Sequence, residues 1–496
     1  MSEGEMGRGR GHVVVIGGGI TGLAAAHRLL RRGNRVTVLE SGPRLGGKLL
    51  TGEVAGARVD LGAESMLARR PEAVALAREA GLTALLQPPA TASAALWTRG
   101  ALRPMPKGHV MGVPGDAAAL TGVLSAEGLR RIEDDRTLSP TEVGEDVAIG
   151  AYVAERLGRE VVDRIVEPLL GGVYAGNAYQ ISMRSAVPQL FEAARRHPSL
   201  TEGVREIQRA AAARQQTGSV FMGIAGGIGR LPGAVADTVR GLGGTVLTGT
   251  PVTALRRLPG GTGPEGEPGA RWQITVDGRH LDADAVVLAV PAPAAAALLD
   301  AESPAAAGEL RTVEYASMAL ITLAYRRDEA RLPDGSGFLV PPVEGRTIKA
   351  ATFASRKWGW ISDENPDLLL LRTSVGRYGE EEILQHTDEE LTEVSRHDLR
   401  EATGLGARPV DSRVTRWHQG LPQYPVGHTA RVARVREHLA KLPGLVVCGA
   451  AYDGVGIPAC IAGGQAAADQ LTGDDRRTVD DVTANPVPRQ HSGAGQ

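Results

Sequence analysis

Cysteine is almost missing from this chain. Cys448 and Cys460 are the only two in 496 residues, and neither lies in a C-x-x-C pair or at metal-ligand spacing from other residues. Neither a disulfide framework nor a metal site is therefore indicated, and both thiols read as small buried residues of a reducing cytosol. An excess of one charge is missing too. Lys plus Arg number 55 against 57 for Asp plus Glu, which leaves no overall field to draw nucleic acid or an anionic membrane. The opening MSEGEMGRGRGH has no apolar signal core, and no uninterrupted apolar run is long enough to span a bilayer. A soluble, cytoplasmic protein with no stable membrane anchor is expected. Aromatic residues make up only 3%, in a chain rich in Ala, Gly and Arg, which reads as genome composition with little bearing on mechanism. No nucleophile triad, carboxylate pair or metal cluster appears, so no catalytic acid or base is named. The length exceeds one ordinary core and implies two or three domains.

What is present begins with VVVIGGGITGLAAAHRLLRRGNRVTVLE, residues 13–40. A short apolar run passes into a glycine turn, a helix and a second strand that ends on an acid. Gly17 allows the tight turn, Gly19 lets the backbone approach a pyrophosphate, and Gly22 lets the helix pack close to the strand. The helix N-terminus, with Gly18, Ile20 and Thr21 around it, offers free N–H groups to the anion. Glu40 stands roughly twenty residues on, where a carboxylate accepts hydrogen bonds from a ribose diol. An adenine dinucleotide is expected, and the next words say which.

SGPRLGGKLL follows, with Ser41 beside the ribose acid and Arg44, Gly46 and Gly47 in an arrangement a plain NAD domain does not need. This E-x-x-x-R-x-G-G run resembles the flavin amine oxidase superfamily, whose members bind FAD. Lys48 is the next residue, facing either the cofactor or solvent. The resemblance also implies that Gly62, Ala63, Glu64 and Ser65 lie along the flavin, that Val252 meets the adenine end through its backbone, and that Val455, Gly456 and Ile457 contact the flavin ring. Arg69 and Arg70 are read either as exposed helix-start charges or as groups facing a substrate carboxylate. Gly226, Gly227 and Gly229 read as a plain turn. Lys349, Arg356 and Lys357 are each read as surface charges before cavity ones.

Two narrower words move the resemblance to the porphyrinogen oxidases. EPLLGGVYAGNAYQIS carries Pro168, Gly172, Tyr174, Ala175, Gly176 and Ser182 at that family's spacing, with Gly171 and Gly172 read as the end of a helix. RWHQGLPQY places Trp417 near the cofactor and His418 beside it, the latter read as structural before catalytic. Members of this family remove six electrons and six protons from a porphyrinogen, with dioxygen as oxidant and hydrogen peroxide as product. A meso carbon flanked by pyrroles gives up hydride readily, so positioning suffices without a strong base.

The resemblance implies an α/β fold: a discontinuous Rossmann-type FAD-binding domain with an inserted α+β substrate domain and a helical subdomain. The expected division is 10–90, 219–295 and 430–474 for FAD, 91–110 and 296–429 for substrate, 111–218 helical, and a disordered tail at 475–496. It looks closest to the soluble Gram-positive branch, which acts on coproporphyrinogen III and passes its product to a ferrochelatase. Arg69, Arg70, Tyr174 and Arg184 are the candidate substrate residues, the arginines because four carboxylates need cations. The alternatives are protoporphyrinogen IX as substrate, an amine oxidase or desaturase of the same fold, and a non-enzymatic carrier.

Overall fold

A computed structural model describes residues 10–213, 218–259 and 271–473. Its centre is a five-stranded sheet of β1 (Arg10–Ile16), β2 (Asn34–Leu39), β3 (Thr245–Leu247), β4 (Ala285–Leu288) and β5 (Leu445–Val447), in spatial order β3-β2-β1-β4-β5. Every neighbouring pair is parallel. That order reverses direction between β1 and β4, the position where nucleotides bind at the carboxyl ends of such sheets. Helices α1 (Ile20–Arg31), α2 (Arg230–Gly241) and α3 (Ile457–Leu471) cover one face.

The continuous apolar run in β1 follows from burial on both sides. Val13 and Val15 enter the core under α1, α2 and α3, while Val14 and Ile16 enter a second core. That second core lies under an antiparallel meander of Val252–Arg257, Trp272–Val276 and Arg279–Ala283, together with helices Ala292–Leu299, Pro304–Arg311 and His428–Leu439. The glycine turn, helix and apolar run between residues 219 and 252 predict a strand ending at Val252, but that strand ends at Leu247 and Val252 opens the first meander strand. The reason is Gly249, whose φ of +62° turns the chain between them. At the meander's hairpin, Asp277 and Gly278 both take positive φ, as the D-G turn predicts.

The chain leaves this sheet after β2 and again after β4. One excursion helps build a seven-stranded sheet, in order Asp411–Pro422, Tyr315–Arg326, Leu368–Val375, Ala350–Thr352, Gly337–Leu339, Ala94–Thr98, Ala101–Pro104. Ile321, Leu323, Phe338 and Ala351 pack on one face against Leu391 and Leu399 of helix Asp388–Thr403. That helix starts at a capping box, Thr387 with Glu390, which divides the acidic run from Glu380 into a short 3-10 turn and the helix proper.

The other excursion is helical, with a core of its own that includes Val153, Val162, Leu170 and Phe191. Gly171 and Gly172 do not stop their helix. It runs over Glu167–Tyr174 and ends at Ala175, whose φ is +51°. Just before it, residues Val162–Val166 form a π-turn. Pro168 accounts for this, since it lacks an N–H and its ring presses on the carbonyl four residues back. Helical spacing of the apolar residues predicts burial of Val161 and Ile165; the extra residue shifts that phase, so Val162 and Val166 are buried alongside them. Arg156 is buried here and paired with Asp135 at 2.7 Å, its remaining donors meeting the carbonyls of Ser139 and Pro198. The expected tail at 475–496 lies outside the described residues, as does most of the proline- and glycine-rich loop that starts at Pro259. Among the described residues no helix is long and apolar enough to cross a membrane.

Candidate functional site

The site is built where β1 gives way to α1. Gly17 has φ +111°, and any side chain there would strike the Ala289 carbonyl. A side chain at Gly22 would strike the carbonyl of Gly17, so these two glycines are steric requirements of the fold. Gly19 differs, because a Cβ there would meet nothing within 4 Å and would project into open space. No side chain caps α1, and its first turn holds no acid. The amides around Ile20 and Thr21 are therefore ready donors over an open cradle, which fits a pyrophosphate.

Glu40 ends β2 beside this turn. One of its carboxylate oxygens accepts from the Gly18 amide at 2.8 Å, the other from the Gly42 amide at 2.7 Å and the Ser41 hydroxyl at 3.3 Å. The second glycine pair locks onto the first. The Gly46 amide donates to the Gly18 carbonyl at 2.9 Å, and Gly19 and Gly46 form an isolated parallel bridge. Gly46 and Gly47 take φ of +102° and +56°. The amides of Gly249 and Thr250 donate to the carbonyls of Gly42 and Glu40, which lays the approach to Val252 along the ribose end.

Arg44, Lys48 and Trp417 converge from distant parts of the chain. The Arg44 guanidinium donates to the Gly47 carbonyl at 2.8 Å and lies 6.0 Å from the Trp417 ring, with the Lys48 ammonium at 5.9 Å from the same ring. Burial lowers the Lys48 pKa and the neighbouring Arg44 lowers it further. The Trp417 indole N–H donates to the Leu61 carbonyl at 2.9 Å, and a side chain at Gly62 would strike the Lys48 carbonyl. His418, next along the strand, is exposed.

Glu64 is buried between two cations. Its carboxylate meets the Lys357 ammonium at 2.5 Å and the Arg372 guanidinium at 3.3 Å, and Arg372 also donates to the Gly62 carbonyl at 2.7 Å. Burial alone would raise the Glu64 pKa, but Arg372 and Lys357 outweigh it and hold the carboxyl below its ordinary range. Lys357 is thus largely buried, where the sequence suggested a surface charge, because a buried carboxylate is there to receive it. Lys349 is buried too, but with no partner for its ammonium. Arg356 is paired with exposed Asp334 at 2.9 Å.

The flavin-ring candidates open α3. Gly456 is its N-cap, no side chain caps it, and Val455 and Ile457 flank that end. A side chain at Gly464 would strike the Thr21 carbonyl of α1, so the two helices cross with backbones nearly touching. Gly226, Gly227 and Gly229 form a turn whose anion position is already filled. The Asp60 carboxylate accepts from the amides of Ile228 and Gly229 at 2.9 and 3.1 Å. Burial pushes the Asp60 carboxyl up to about 6, against the opposing pull of those two amides and of Arg372.

The substrate candidates are scattered. Arg69 is exposed, and Arg70 pairs with Glu72 at 2.7 Å. Tyr174 is buried with its ring 5.5 Å from Tyr424, its hydroxyl 3.4 Å from the Ala186 carbonyl, and its pKa pushed up to about 12 by burial. The Arg184 guanidinium donates to the Glu145 carbonyl at 3.2 Å and lies over Phe191. Sequence reasoning missed Arg372 and Asp60. Asp60 stands in the R-V-D-L-G word just ahead of the flavin-side loop, but nothing local marks Arg372, which comes from a strand about three hundred residues away.

A sequence model of the flavin-containing amine oxidoreductases matches residues 20–472. The chain belongs to that family. Its relatives include a coproporphyrinogen III oxidase of Bacillus subtilis (strain 168), 35% identical over 94% of this chain and 99% of that protein. Another of the same name, from Mycobacterium bovis, is 37% identical over 90% of this chain and 94% of its own length. A solved structure from Exiguobacterium sp. 255-15 superposes with a TM-score of 0.81 at 31% identity, covering 95% of this chain and all of that one. Cyclohexylamine oxidase from Brevibacterium oxydans, at 17% identity and a TM-score of 0.65, shares the fold alone. This chain is accordingly an FAD-dependent oxidoreductase. The open cradle at Gly19, the uncapped ends of α1 and α3, and the acid at Glu40 fit the cofactor. FAD, when bound, supplies the redox centre that accepts hydride equivalents.

Proposed function

We propose that this flavoprotein oxidises coproporphyrinogen III to coproporphyrin III in haem synthesis. Six electrons and six protons leave the macrocycle in three two-electron steps, and three dioxygen molecules become three of hydrogen peroxide. The observation that carries the reading is that relatives of that name align along nearly the whole chain, at 35% and 37% identity. The geometry supports it. The two porphyrinogen-oxidase words are tied to each other, the Gln423 amide donating to the Tyr174 carbonyl at 2.8 Å and the Ser182 amide to the Tyr424 carbonyl at 2.8 Å. Tyr424 in turn donates to the Ala450 carbonyl, at the entry to the segment holding Val455, Gly456 and Ile457.

In this reading the chain's own residues bind and orient. The amides about Gly17–Gly19 and α1 hold the pyrophosphate, Glu40 the ribose, and the segments at 44–48, 62–65 and 455–457, with Trp417 and the backbone at Val252, surround the rest of the cofactor. Arg69 and Arg70 receive substrate carboxylates near the flavin-side loop, with Tyr174 and Arg184 as further candidates. The threefold division into FAD-binding, substrate-binding and helical parts is part of the same proposal, as are a cytoplasmic setting and a transient hand-off of product to a ferrochelatase. No acid or base is assigned.

A second reading, protoporphyrinogen IX as substrate, is favoured by a Bos taurus protoporphyrinogen oxidase that is 30% identical over 93% of this chain. An aerobic fluorescence assay with both porphyrinogens side by side decides between them. Faster porphyrin formation from coproporphyrinogen III is expected; a preference for the other selects the second reading, and no enhancement over air for either rejects both.

A further inference from the structure

Phe221 and Leu67 are directly opposed residues on two antiparallel strands, Phe221–Ile224 and Met66–Leu67. Strand alternation sends Met66 into the core and leaves Leu67 and Phe221 outward, 37% and 39% exposed. Two large apolar side chains side by side in water need an explanation that a single exposed one does not. Strand Met66–Leu67 directly follows the flavin-side loop at 62–65, so the pair sits at the edge of the candidate cofactor cleft.

A cation borders it. The Lys357 ammonium lies 5.9 Å from the Phe221 ring and 5.4 Å from the Trp358 ring. Trp358 is buried against Gly223, where a side chain would collide with the indole, so strand 221–224 and the segment bearing Lys357 are held together. Lys357 spends one donor on Glu64, and an ammonium has three. Glu64 is shared with Arg372, so its charge does not fully neutralise Lys357. Arg69, exposed in the turn two residues beyond Leu67, is a second cation close by along the chain.

We infer that Phe221 and Leu67 form a shelf for the flat apolar face of the macrocycle and that Lys357 takes one of its carboxylate arms. The occupant is a planar, apolar polycarboxylate, because the surface pairs an exposed aromatic ring with cations. The inference rests on the proposed function, whose product, the fully conjugated coproporphyrin, has this chemistry.

The test is a fluorescence titration of the FAD-loaded protein with coproporphyrin III and with its tetramethyl ester. Phe221→Ser is expected to weaken binding of both at least ten-fold. Lys357→Gln should weaken the tetra-acid several-fold and leave the ester unchanged, and Leu67→Ser repeats the apolar test on the opposing strand. The flavin spectrum and thermal midpoint of each variant report on folding. If the wild-type protein binds coproporphyrin III and oxidises coproporphyrinogen III but both apolar variants bind the tetra-acid as it does, the shelf is wrong and the function stands. If it neither binds nor oxidises, the function itself falls and the shelf with it. If porphyrin affinity survives Phe221→Ser while sedimentation shows loss of a dimer or of vesicle binding, the patch belongs to a second copy or a lipid surface and the inference is overturned.

Discussion

Lys349 is a buried amine with no hydrogen-bond partner among the described residues. Burial, with Arg377 nearby, lowers its pKa from 10.5 to about 7. The sign of its effect follows from linkage. Between pH 7 and 10.5 the unfolded chain holds a proton that the folded one does not, so folding is penalised increasingly as pH falls, and below pH 7 the penalty is complete. Lys349→Met should therefore raise stability at pH 7, by several kcal/mol at about 1.4 kcal/mol per pKa unit. The gain should shrink as pH approaches 10, which denaturant melts across that range will measure. Arg156 is the opposite case, a buried charge with its donors satisfied. Arg156→Ala leaves Asp135 buried without its cation and should cost roughly 3–5 kcal/mol in the same melts.

At the scale of elements, the crossing of α1 and α3 makes the clearest demand. Gly464→Val would drive a side chain into the Thr21 carbonyl and should destabilise the protein by about 1–3 kcal/mol, more if backbone must move. Gly19→Val makes a contrasting prediction. A Cβ there meets nothing within 4 Å among the described residues, so apo-protein stability should hold while FAD affinity, read by titration of the apo-protein, falls by an order of magnitude or more. Equal losses of affinity and stability for Gly19→Val would show that its open space is not the cofactor's. The fingerprint's glycines thus divide by physics: Gly17 and Gly22 serve the fold, and on the proposed function Gly19 serves the ligand.

For the whole molecule, the Glu64 cluster matters most, because it joins the loop at 62–65 to Arg372 of the seven-stranded sheet and to Lys357 at the end of helix Ala354–Lys357. Glu64→Gln leaves two cations without their carboxylate and should cost roughly 3–5 kcal/mol. The wild-type contribution is present above the ordinary carboxyl value of 4.5 and is lost as pH falls through the depressed folded value. The stability difference between wild type and Glu64→Gln should accordingly narrow in acid. A difference independent of pH would place the cost in packing instead.

The dinucleotide fold was legible in the residues because its signals are local. An apolar run, three spaced glycines and an acid at the end of the next strand lie within residues 13–40, and each reflects a contact made within that unit or with its ligand. The family words at 168–182 and 417–424 were legible by resemblance alone, since nothing in their spacing tells that Gln423 reaches Tyr174. Helix ends and strand phase were read less well. Pro168 slipped the helical register, Ala175 rather than the glycines closed that helix, and Gly249 moved a strand boundary. The charges were decided only by tertiary structure. Whether Lys357 pairs, Lys349 strands its proton or Arg372 clamps Gly62 depends on which carboxylates lie nearby in space, and those partners come from strands and loops far apart in sequence. Local chemistry determined an adenine dinucleotide, which the resemblance narrowed to FAD, and the packing of distant segments determined where each cation ended.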